Sequence, residues 1–223
     1  MTDPATSTEA EDTELALALR ELGRADADLA RAREIAGPLP DRSRPATLAS
    51  LMKIVVQQQV SLASANAIWG RFESAVMAAS RDGFNADAVL ALSEADMRTA
   101  GLSRPKVAYC RNLAEAVATG SLDLDGLAGL EDAAAIAELT KIKGVGRWTA
   151  EIYMMFAHGR VDLWPAHDVA LQIAVQDLKD LDERPTWKRM DEIAAPWRPW
   201  RGVAARVLWR YYRVVKGRAD PTG

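Results

Sequence analysis

The sequence predicts an all-α fold on the basis of three observations. Apolar residues recur at helical spacing through most of the chain, and no segment of useful length alternates between apolar and polar residues. Glycine, proline or a capping residue marks most of the predicted helix ends. The length of 223 residues suits one or two compact domains and is ample for a hydrophobic core.

The first predicted helices lie in the N-terminal half of the chain. A helix is expected over residues 13–35, ending before Gly37-Pro38, and residues 1–12 are expected to form a mobile acidic tail. Further helices are expected over residues 45–59, from the N-cap Ser61 to Ala79, from a capping box at Ser93–Asp96, and from Ser103, with Pro105 in the first turn.

The C-terminal half is expected to contain a helical hairpin followed by three more helices. Residues 131–141 and 147–157 are predicted to be helices on either side of a glycine-containing turn. Residues 168–178, 186–195 and 199–216 complete the predicted set. No β-strand is expected, because the alternating pattern that indicates a strand is missing.

Composition excludes several classes of protein. The single cysteine, Cys110, excludes a disulfide framework, a cysteine-ligated iron–sulfur cluster and a zinc ribbon. His158 and His167 are the only histidines, which also excludes a histidine-rich metal site. The chain has neither a run of about 18 apolar residues nor the charge pattern of a signal peptide. We therefore expect a cytoplasmic protein. No organic cofactor is implied.

The charge of the chain is unevenly distributed. The formal net charge is −3, but residues 1–36 hold nine acidic residues against four arginines. Between Arg184 and Arg218 there are ten basic residues and only two acidic ones. A basic surface of this kind attracts phosphate groups whatever the total charge. The alternative is an ordinary solvated helix face with a high arginine content.

The segment LTKIKGVGRWTA, residues 139–150, has the pattern of a helix-hairpin-helix. Gly144 and Gly146 permit positive φ and leave no Cβ between the backbone and a ligand. The amides of Gly144, Gly146 and Thr149 are expected to bind a phosphate at a helix N-terminus. Lys143 and Arg147 add positive charge nearby. The alternative is a plain helix–helix turn, because Gly-x-Gly alone is a weak signal.

Five segments together resemble the helix-hairpin-helix DNA glycosylases, and most closely the AlkA type, the 3-methyladenine DNA glycosylases II. These segments are VVQQQVSLASA, GLSRPKVAYCRNLA, GVGRWTA, PAHDVALQ and WRPWRGVAARVLW. They occur in the order of the family, and the resemblance covers roughly residues 15–215. It implies two helical lobes with the active-site cleft between them.

The resemblance also implies how the chain is divided between the two lobes. Residues 13–42 and 161–223 would form the terminal lobe. Residues 43–160 would form a central helical-barrel lobe that contains the helix-hairpin-helix at 139–150. AlkA itself has a further N-terminal β domain, and too little chain precedes Thr13 to supply it. We therefore expect the compact form of the family.

Asp168 is the candidate catalytic residue. It follows Trp164-Pro165-Ala166-His167 at the start of a predicted helix, so its spacing alone suits an N-cap as well as catalysis. The resemblance favours catalysis, because the catalytic aspartate of the family lies at this position. A carboxylate beside the sugar stabilises the oxocarbenium character that develops as a glycosidic bond breaks, and it can orient water.

Trp148 indicates the type of glycosylase. Related enzymes that also cut the strand, of the endonuclease III type, have at this position the lysine that forms a Schiff base with the sugar. Tryptophan cannot form that adduct, so the resemblance implies a monofunctional enzyme that leaves an abasic site. The missing cysteine cluster agrees with this prediction. The alternative is that Trp148 is a core residue.

The resemblance assigns a base pocket and a wedge. Trp148 and Trp209 match aromatic residues of the pocket, Ile152 takes the place of a pocket tyrosine of AlkA, and Gln58 would lie nearby. Gln59 matches the residue that family members push into the duplex, where the best-known members have leucine; the alternative is a solvated glutamine at a helix end. The remaining tryptophans Trp164, Trp197 and Trp200 are expected to serve in packing. His167 has two open interpretations, a contact with DNA or a surface histidine.

The sequence therefore predicts a DNA glycosylase of base excision repair that flips out and hydrolyses alkylated bases such as 3-methyladenine and 7-methylguanine. Its partner would be damaged double-stranded DNA, without a membrane or an obligatory protein partner, and it would act as a nucleoid-associated monomer. By resemblance, the carbonyls of Thr140, Ile142 and Val145 can hold Na⁺ or K⁺. The alternatives are a glycosylase for uracil, hypoxanthine or mismatched bases, and a non-catalytic DNA-binding protein.

Overall fold

The computed structural model describes residues 4–217 of the chain. It divides into two compact units. The terminal unit combines the chain before Ser43 with the chain from Arg160 onward, and the central unit is Ser43–Gly159. The sequence predicted boundaries at residues 43 and 161. The described residues contain helices and no strand, which confirms the all-α class.

The described residues form twelve α-helices and two short 3₁₀ segments. The α-helices are α1 Pro4–Ala25, α2 Ala27–Ala36, α3 Leu48–Gln57, α4 Leu62–Ala79, α5 Ala86–Ala91, α6 Glu94–Thr99, α7 Arg104–Ala118, α8 Asp132–Thr140, α9 Arg147–Ala157, α10 Val169–Leu178, α11 Trp187–Ala194 and α12 Arg201–Val215. The 3₁₀ segments are Gly126–Gly129 and Ala195–Trp197. None of the helices that the structure describes is long and apolar enough to cross a membrane.

The N-terminal region differs from the prediction in two respects. Helix α1 begins at Pro4 rather than at residue 13, so it includes most of the predicted acidic tail, and residues 1–3 lie outside the described part of the chain. The single helix predicted over residues 13–35 is broken at Asp26. Asp26 has an extended backbone, and its side chain accepts hydrogen bonds from the amides of Asp28 and Leu29. An aspartate that caps a helix in this way starts a new helix.

Short elements account for the other differences. Helix α5 was not predicted, although Asn85 caps it by accepting a hydrogen bond from the Ala88 amide. The 3₁₀ segment Gly126–Gly129 was also missed. Helix α3 begins after the N-cap Thr47 rather than at Pro45, and α12 begins at Arg201 rather than Pro199. Elements of six residues or fewer contain too few apolar positions for a helical period to stand out.

The terminal unit is organised around α12, which packs against α2 and α10. An ion-pair cluster reinforces this packing at the start of α2. The Lys179 ammonium contacts Asp26 at 2.7 Å and Asp28 at 2.9 Å, and the Trp197 indole donates to Asp26 at 2.9 Å. Burial alone would lower the pKa of Lys179, but the hydrogen bonds to the two aspartates outweigh it and raise this pKa. The hydrogen bond from Lys179 lowers the pKa of Asp28.

Lys179→Met is expected to lower the free energy of unfolding by about 2 kcal/mol near neutral pH, because it leaves the carboxylate of Asp26 without its cation. The Lys179 and Asp26 side chains are 22% and 12% exposed, so water screens this pair only in part. The stabilisation by Lys179 is present below its unfolded pKa and is lost as the pH rises through its raised folded pKa. The stabilisation by Asp28 is present above its unfolded pKa and is lost as the pH falls through its lowered folded pKa.

Urea unfolding of both proteins at several pH values measures this difference. It should be constant between about pH 5 and pH 9 and should shrink outside that window. The control is Arg189→Met, which removes the exposed pair with Glu192 and should change stability by less than about 0.5 kcal/mol. Equal losses in the two variants would contradict a specific role for Lys179.

The central unit is organised around α3, which packs against α4, α7 and α9. Six residues of α3 are buried, namely Leu48, Leu51, Met52, Ile54, Val55 and Val56. The Lys106 ammonium of α7 donates to the carbonyls of Val56 (2.7 Å) and Gln58 (2.8 Å) at the C-terminal end of α3. A cation at a helix C-terminus is stabilising, so this contact fixes where α3 ends. Cys110 lies on the same helix as Lys106 and is fully buried, and burial raises the pKa of its thiol to about 12.

Candidate functional site

The hairpin of the central unit joins α8 to α9. Its apolar frame is buried, namely Leu139, Val145 and Ala150. Lys143 and Arg147 are exposed. The Val145 amide donates to the Ile142 carbonyl at 2.9 Å, which closes a tight turn. The turn therefore presents cations to solvent while its apolar residues anchor it in the unit.

The two hairpin glycines have different roles. Gly144 has φ 108°, and a Cβ at this position would overlap the ring of Tyr109. Gly146 has φ −82°, which any residue can adopt, and a Cβ there would meet no atom within 4 Å. Glycine was expected to permit positive φ at both positions, and of the two only Gly144 adopts it. Glycine at 146 leaves an exposed backbone that a ligand can approach closely.

Side chains from α7 and from the end of α3 hold the turn in place. The Asn112 amide donates to the Lys143 carbonyl at 3.1 Å. The Gln58 amide donates to the Thr149 hydroxyl at 2.8 Å and to the Gly144 carbonyl at 3.4 Å. Gln58, predicted near the base pocket, therefore contacts the hairpin directly. No pattern in the sequence indicates the contact between Asn112 and Lys143.

Helix α9 begins at the exposed surface of the hairpin. Gly146 is its N-cap and, as a glycine, has no side chain that could cap the helix. Gly146 and Arg147 are exposed, whereas Thr149 is only 1% exposed. An uncapped helix N-terminus beside a cation attracts anions. The position of Thr149 in the core does not favour the phosphate contact predicted for its amide.

Arg147 is oriented by a carboxylate of its own helix. Its Nε donates to Oε1 of Glu151 at 2.8 Å, and Glu151 is buried while the Arg147 side chain is mostly exposed. A charge pair at a spacing of four residues lies on one face of a helix. The guanidinium is therefore held near the start of α9.

Gln59 occupies a strained turn between α3 and α4. It has φ 56°, which is uncommon for a residue other than glycine, and it is exposed. Its neighbour Val60 is also exposed, which the sequence analysis did not single out. The carbonyl of Gln58 is fixed by Lys106, so the turn begins from a rigid point. Backbone strain at an exposed tip is frequent in functional segments.

The predicted pocket residues are divided between the two units. Trp148 and Ile152 lie four residues apart on one face of α9 in the central unit, where Trp148 is half-buried and Ile152 buried. Trp209 is 8% exposed and lies on α12 of the terminal unit. The start of α12 is anchored by Arg201, whose guanidinium contacts Asp162 at 2.8–2.9 Å.

Asp168 is the N-cap of α10 in the terminal unit. Its Oδ1 accepts a hydrogen bond from the Leu171 amide at 2.9 Å, and its own amide donates to the Pro165 carbonyl at 2.9 Å. The Gln172 side chain donates to the Ala166 carbonyl, which ties the preceding loop to the helix. The capping role that spacing suggested for Asp168 is therefore present. It also fixes the orientation of a half-buried carboxylate.

An aromatic pair lies next to Asp168 and was missed from the sequence. The rings of His167 and Trp187 are 5.5 Å apart and inclined by 30°. The Lys188 ammonium lies 5.5 Å from the centre of the same indole. The sequence singled out His167 but not Trp187, because nothing in the spacing of these residues brings two segments twenty positions apart together.

The hairpin also contains the carbonyls predicted to bind a monovalent cation. Thr140 ends α8, and the Ile142 carbonyl accepts the hydrogen bond from Val145. Neutral carbonyl oxygens at a helix C-terminus suit Na⁺ or K⁺, since they carry partial negative charge. Among the described residues, no group of three or more His, Cys, Asp or Glu side chains is placed to bind a metal ion.

Comparison with known proteins identifies the family. A model of the HhH-GPD superfamily of base excision DNA repair proteins matches residues 52–199, which is more than half of the chain. The chain belongs to the HhH-GPD superfamily. The match includes the hairpin, Trp148 and Asp168. The resemblance stated from the sequence is confirmed.

Individual members of the HhH-GPD superfamily show the extent of the similarity. DNA-3-methyladenine glycosylase 1 of Schizosaccharomyces pombe is 32% identical over 166 residues, which are 72% of this chain and 70% of that protein. Across six such relatives, the chain spans between 34% and 70% of the relative's length.

Two solved structures of the HhH-GPD superfamily resemble this one. The crystal structure of a DNA-3-methyladenine glycosidase from Bacillus halodurans has a TM-score of 0.76 and 33% identity, and the match covers 90% of this chain and 91% of that one. The 3-methyladenine DNA glycosylase of Schizosaccharomyces pombe in complex with abasic DNA has a TM-score of 0.78 and 27% identity. That match covers 92% of this chain and 98% of the other.

Proposed function

We propose that the protein is a monofunctional DNA glycosylase that removes alkylated bases from double-stranded DNA and leaves an abasic site. The strongest support for this function is the orientation of Asp168. Its carboxylate is fixed at the N-terminus of α10, in a chain that belongs to the HhH-GPD superfamily. Relatives from Schizosaccharomyces pombe and Bacillus halodurans are named as a 3-methyladenine DNA glycosylase and a DNA-3-methyladenine glycosidase, and the structure of the first contains abasic DNA. The proposed substrates are bases of the 3-methyladenine and 7-methylguanine type.

In this proposal, the hairpin binds the phosphate backbone. The exposed amides of Gly146 and Arg147 at the uncapped start of α9 would donate to phosphate oxygens, with Gly144 shaping the turn. The charges of Lys143 and Arg147 strengthen this contact. Because it involves no base edges, the contact positions the DNA without reading its sequence.

The base pocket is proposed to use indole rings. An alkylated purine such as 3-methyladenine is cationic, and a cation gains about 0.5–2 kcal/mol over an aromatic face. Trp148 and Trp209 are the proposed aromatic residues, with Ile152 as an apolar wall. Gln58 supports this pocket indirectly, since its amide fixes the position of Thr149 beside Trp148.

Gln59 is the proposed wedge. Flipping a base out of the duplex costs a few kcal/mol of unstacking, and a side chain that fills the gap offsets part of that cost. Gln59 is exposed at a strained tip, and the turn before it is fixed by Lys106. Its amide can replace hydrogen bonds lost by the unpaired opposite base, which a leucine cannot do.

Asp168 is proposed to act on the sugar. As the N-glycosidic bond breaks, its electron pair leaves with the base, and positive charge develops on the deoxyribose. The carboxylate stabilises that charge and accepts a proton from the water whose oxygen bonds to C1′. A base that is already cationic departs without a strong general acid, so one carboxylate suffices.

The protein is expected to release 3-methyladenine and 7-methylguanine from methylated duplex DNA and to leave the strand intact. Release of each labelled damaged base, measured side by side with uracil and hypoxanthine substrates, tests the substrate class. Faster release of a neutral base would contradict alkylated-base specificity.

Treatment with borohydride should trap no covalent adduct between the protein and DNA, because Trp148 cannot form a Schiff base with the sugar. A trapped adduct of the wild-type protein would contradict the monofunctional assignment.

Two further features complete the proposal. The carbonyls of Thr140, Ile142 and Val145 would hold a monovalent cation, which adds positive charge where the hairpin approaches a phosphate.

The protein would act as a monomer on double-stranded DNA, because a single chain supplies each of the proposed contacts. Sedimentation of the complex with a short duplex tests the stoichiometry.

A further inference from the structure

Trp187 is a large aromatic side chain that the structure leaves in solvent. It follows the N-cap Thr186 as the first residue of α11, and it is 45% exposed. By contrast, Trp164 and Trp197 of the same unit are buried, and their rings pack edge to face at 5.4 Å. A tryptophan that served only in packing would be placed like these two. Large exposed apolar side chains frequently mark a binding surface.

Trp187 and three further exposed residues form a surface that we call the aromatic platform: His167 and Lys188, which lie near the Trp187 ring, and Val169, which follows Asp168 in the chain. The centre of the His167 ring lies 5.5 Å from that of the Trp187 ring, and the two ring planes are tilted by 30°. The Lys188 ammonium lies 5.5 Å from the indole centre, and Val169 is 52% exposed. The platform therefore combines ring faces, an apolar side chain and an exposed cation.

The platform adjoins the proposed catalytic carboxylate within the terminal unit. His167 and Val169 flank Asp168 in the chain, and consecutive Cα atoms are about 3.8 Å apart. The Asp168 side chain is fixed by its hydrogen bond to the Leu171 amide. A sugar that contacts Asp168 would therefore have its neighbouring nucleotides within reach of the platform.

We propose that the aromatic platform binds a nucleobase of the damaged strand, next to the nucleotide that is flipped out. This inference rests on the proposed function, because it takes Asp168 as the group that contacts the damaged sugar. Flipping removes one stacking partner from each neighbouring base, and the indole of Trp187 replaces it. Stacking on an aromatic ring suits any base, so the platform adds affinity without sequence preference. Lys188, which is exposed, moves to an adjacent phosphate.

The experiment uses a duplex with an abasic-site analogue and 2-aminopurine, whose fluorescence falls when it stacks on an aromatic ring. Three duplexes are compared. In two of them the 2-aminopurine lies on the same strand as the abasic site, on its 5′ or its 3′ side, and in the third it lies on the opposite strand. Wild-type protein should quench the probe at one of the same-strand positions. Trp187→Ala should abolish this quenching and raise the Kd roughly tenfold. Trp187→Phe should keep most of the quenching and of the affinity, because phenylalanine still offers an aromatic face. Trp187→Leu should lose both.

Matched variants separate stacking from loss of exposed apolar area and from charge. Ile35→Ala removes another exposed apolar side chain of the terminal unit and should change neither signal. Lys188→Met should lower the slope of log Kd against log salt by about 0.9, the value expected for one phosphate contact. Unfolding temperatures of all variants should agree, since the side chains removed are exposed.

The outcomes distinguish this inference from the proposed function. Unchanged Kd and quenching for Trp187→Ala, in a protein that still releases methylated bases, would overturn the platform alone and indicate a protein partner for Trp187. Quenching only on the opposite strand would also overturn it. Loss of the proposed function would appear instead as failure of the wild-type protein to release any damaged base.

Discussion

Asp168→Asn is expected to slow the release of methylated bases by about a thousandfold while leaving folding and DNA affinity unchanged. Asparagine removes the negative charge that would stabilise the developing oxocarbenium ion, and it cannot accept the proton of the attacking water. It keeps the shape of the side chain, and its amide oxygen can still accept the hydrogen bond from the Leu171 amide. Asparagine and aspartate cap helices about equally well, so α10 should not unravel.

Single-turnover release from methylated duplex DNA, together with Kd for an abasic-analogue duplex and a urea unfolding curve, measures all three properties. The control is Asp123→Asn, because the exposed Asp123 carboxylate also accepts a backbone hydrogen bond, from Gly126 at 3.0 Å. This control should leave base release unchanged. Release by Asp168→Asn at the wild-type rate would show that Asp168 is only a helix cap.

Substitution of the two hairpin glycines is expected to have opposite consequences for folding and binding. Gly144→Ala should lower the free energy of unfolding by roughly 2–4 kcal/mol, because it combines a strained φ with overlap against Tyr109. Gly146→Ala should change stability by less than about 0.5 kcal/mol, since its φ is ordinary and the space around it is open. Its methyl group should nevertheless hold a phosphate away from the backbone and raise the Kd for DNA roughly tenfold.

Urea unfolding and DNA titration of both variants test this pair. Gly129→Ala is a control for each, because Gly129 is also surrounded by open space and lies outside the hairpin. If Gly146→Ala binds DNA like the wild type, the phosphate is not bound at the start of α9. A stable Gly144→Ala protein would show that Tyr109 moves aside.

Most long helices and the central motif could be predicted from sequence because their signals are local. Three serines cap helices as expected: Ser61, Ser93 and Ser103. Each serine hydroxyl accepts a hydrogen bond from a backbone amide only three residues later, so the signal lies within a short stretch of sequence. The hairpin could be located because its glycines and apolar frame follow one another in the chain. The same holds for Asp168, whose capping position follows from Pro165 and the helix after it.

The features that the sequence did not reveal depend on contacts between distant segments. Asp26 breaks the first helix, and its carboxylate also pairs with Lys179, more than 150 positions away. The contact between Gln58 and Thr149 and that between His167 and Trp187 join segments that lie far apart in the chain. Such contacts follow from how helices pack, and the period of one helix does not determine its partner. Helix α5 was missed because it is too short to show a period.

Burial of Cys110 affects how the protein withstands the reagents that damage DNA. Alkylating agents modify thiolates more readily than most other protein groups, and this chain contains one cysteine. Its thiol is fully buried, and burial raises its pKa to about 12, so the thiol stays protonated at neutral pH and is closed to reagents in solution. A cell exposed to methylating chemicals would therefore keep this protein chemically intact at its most reactive side chain while its genome accumulates lesions.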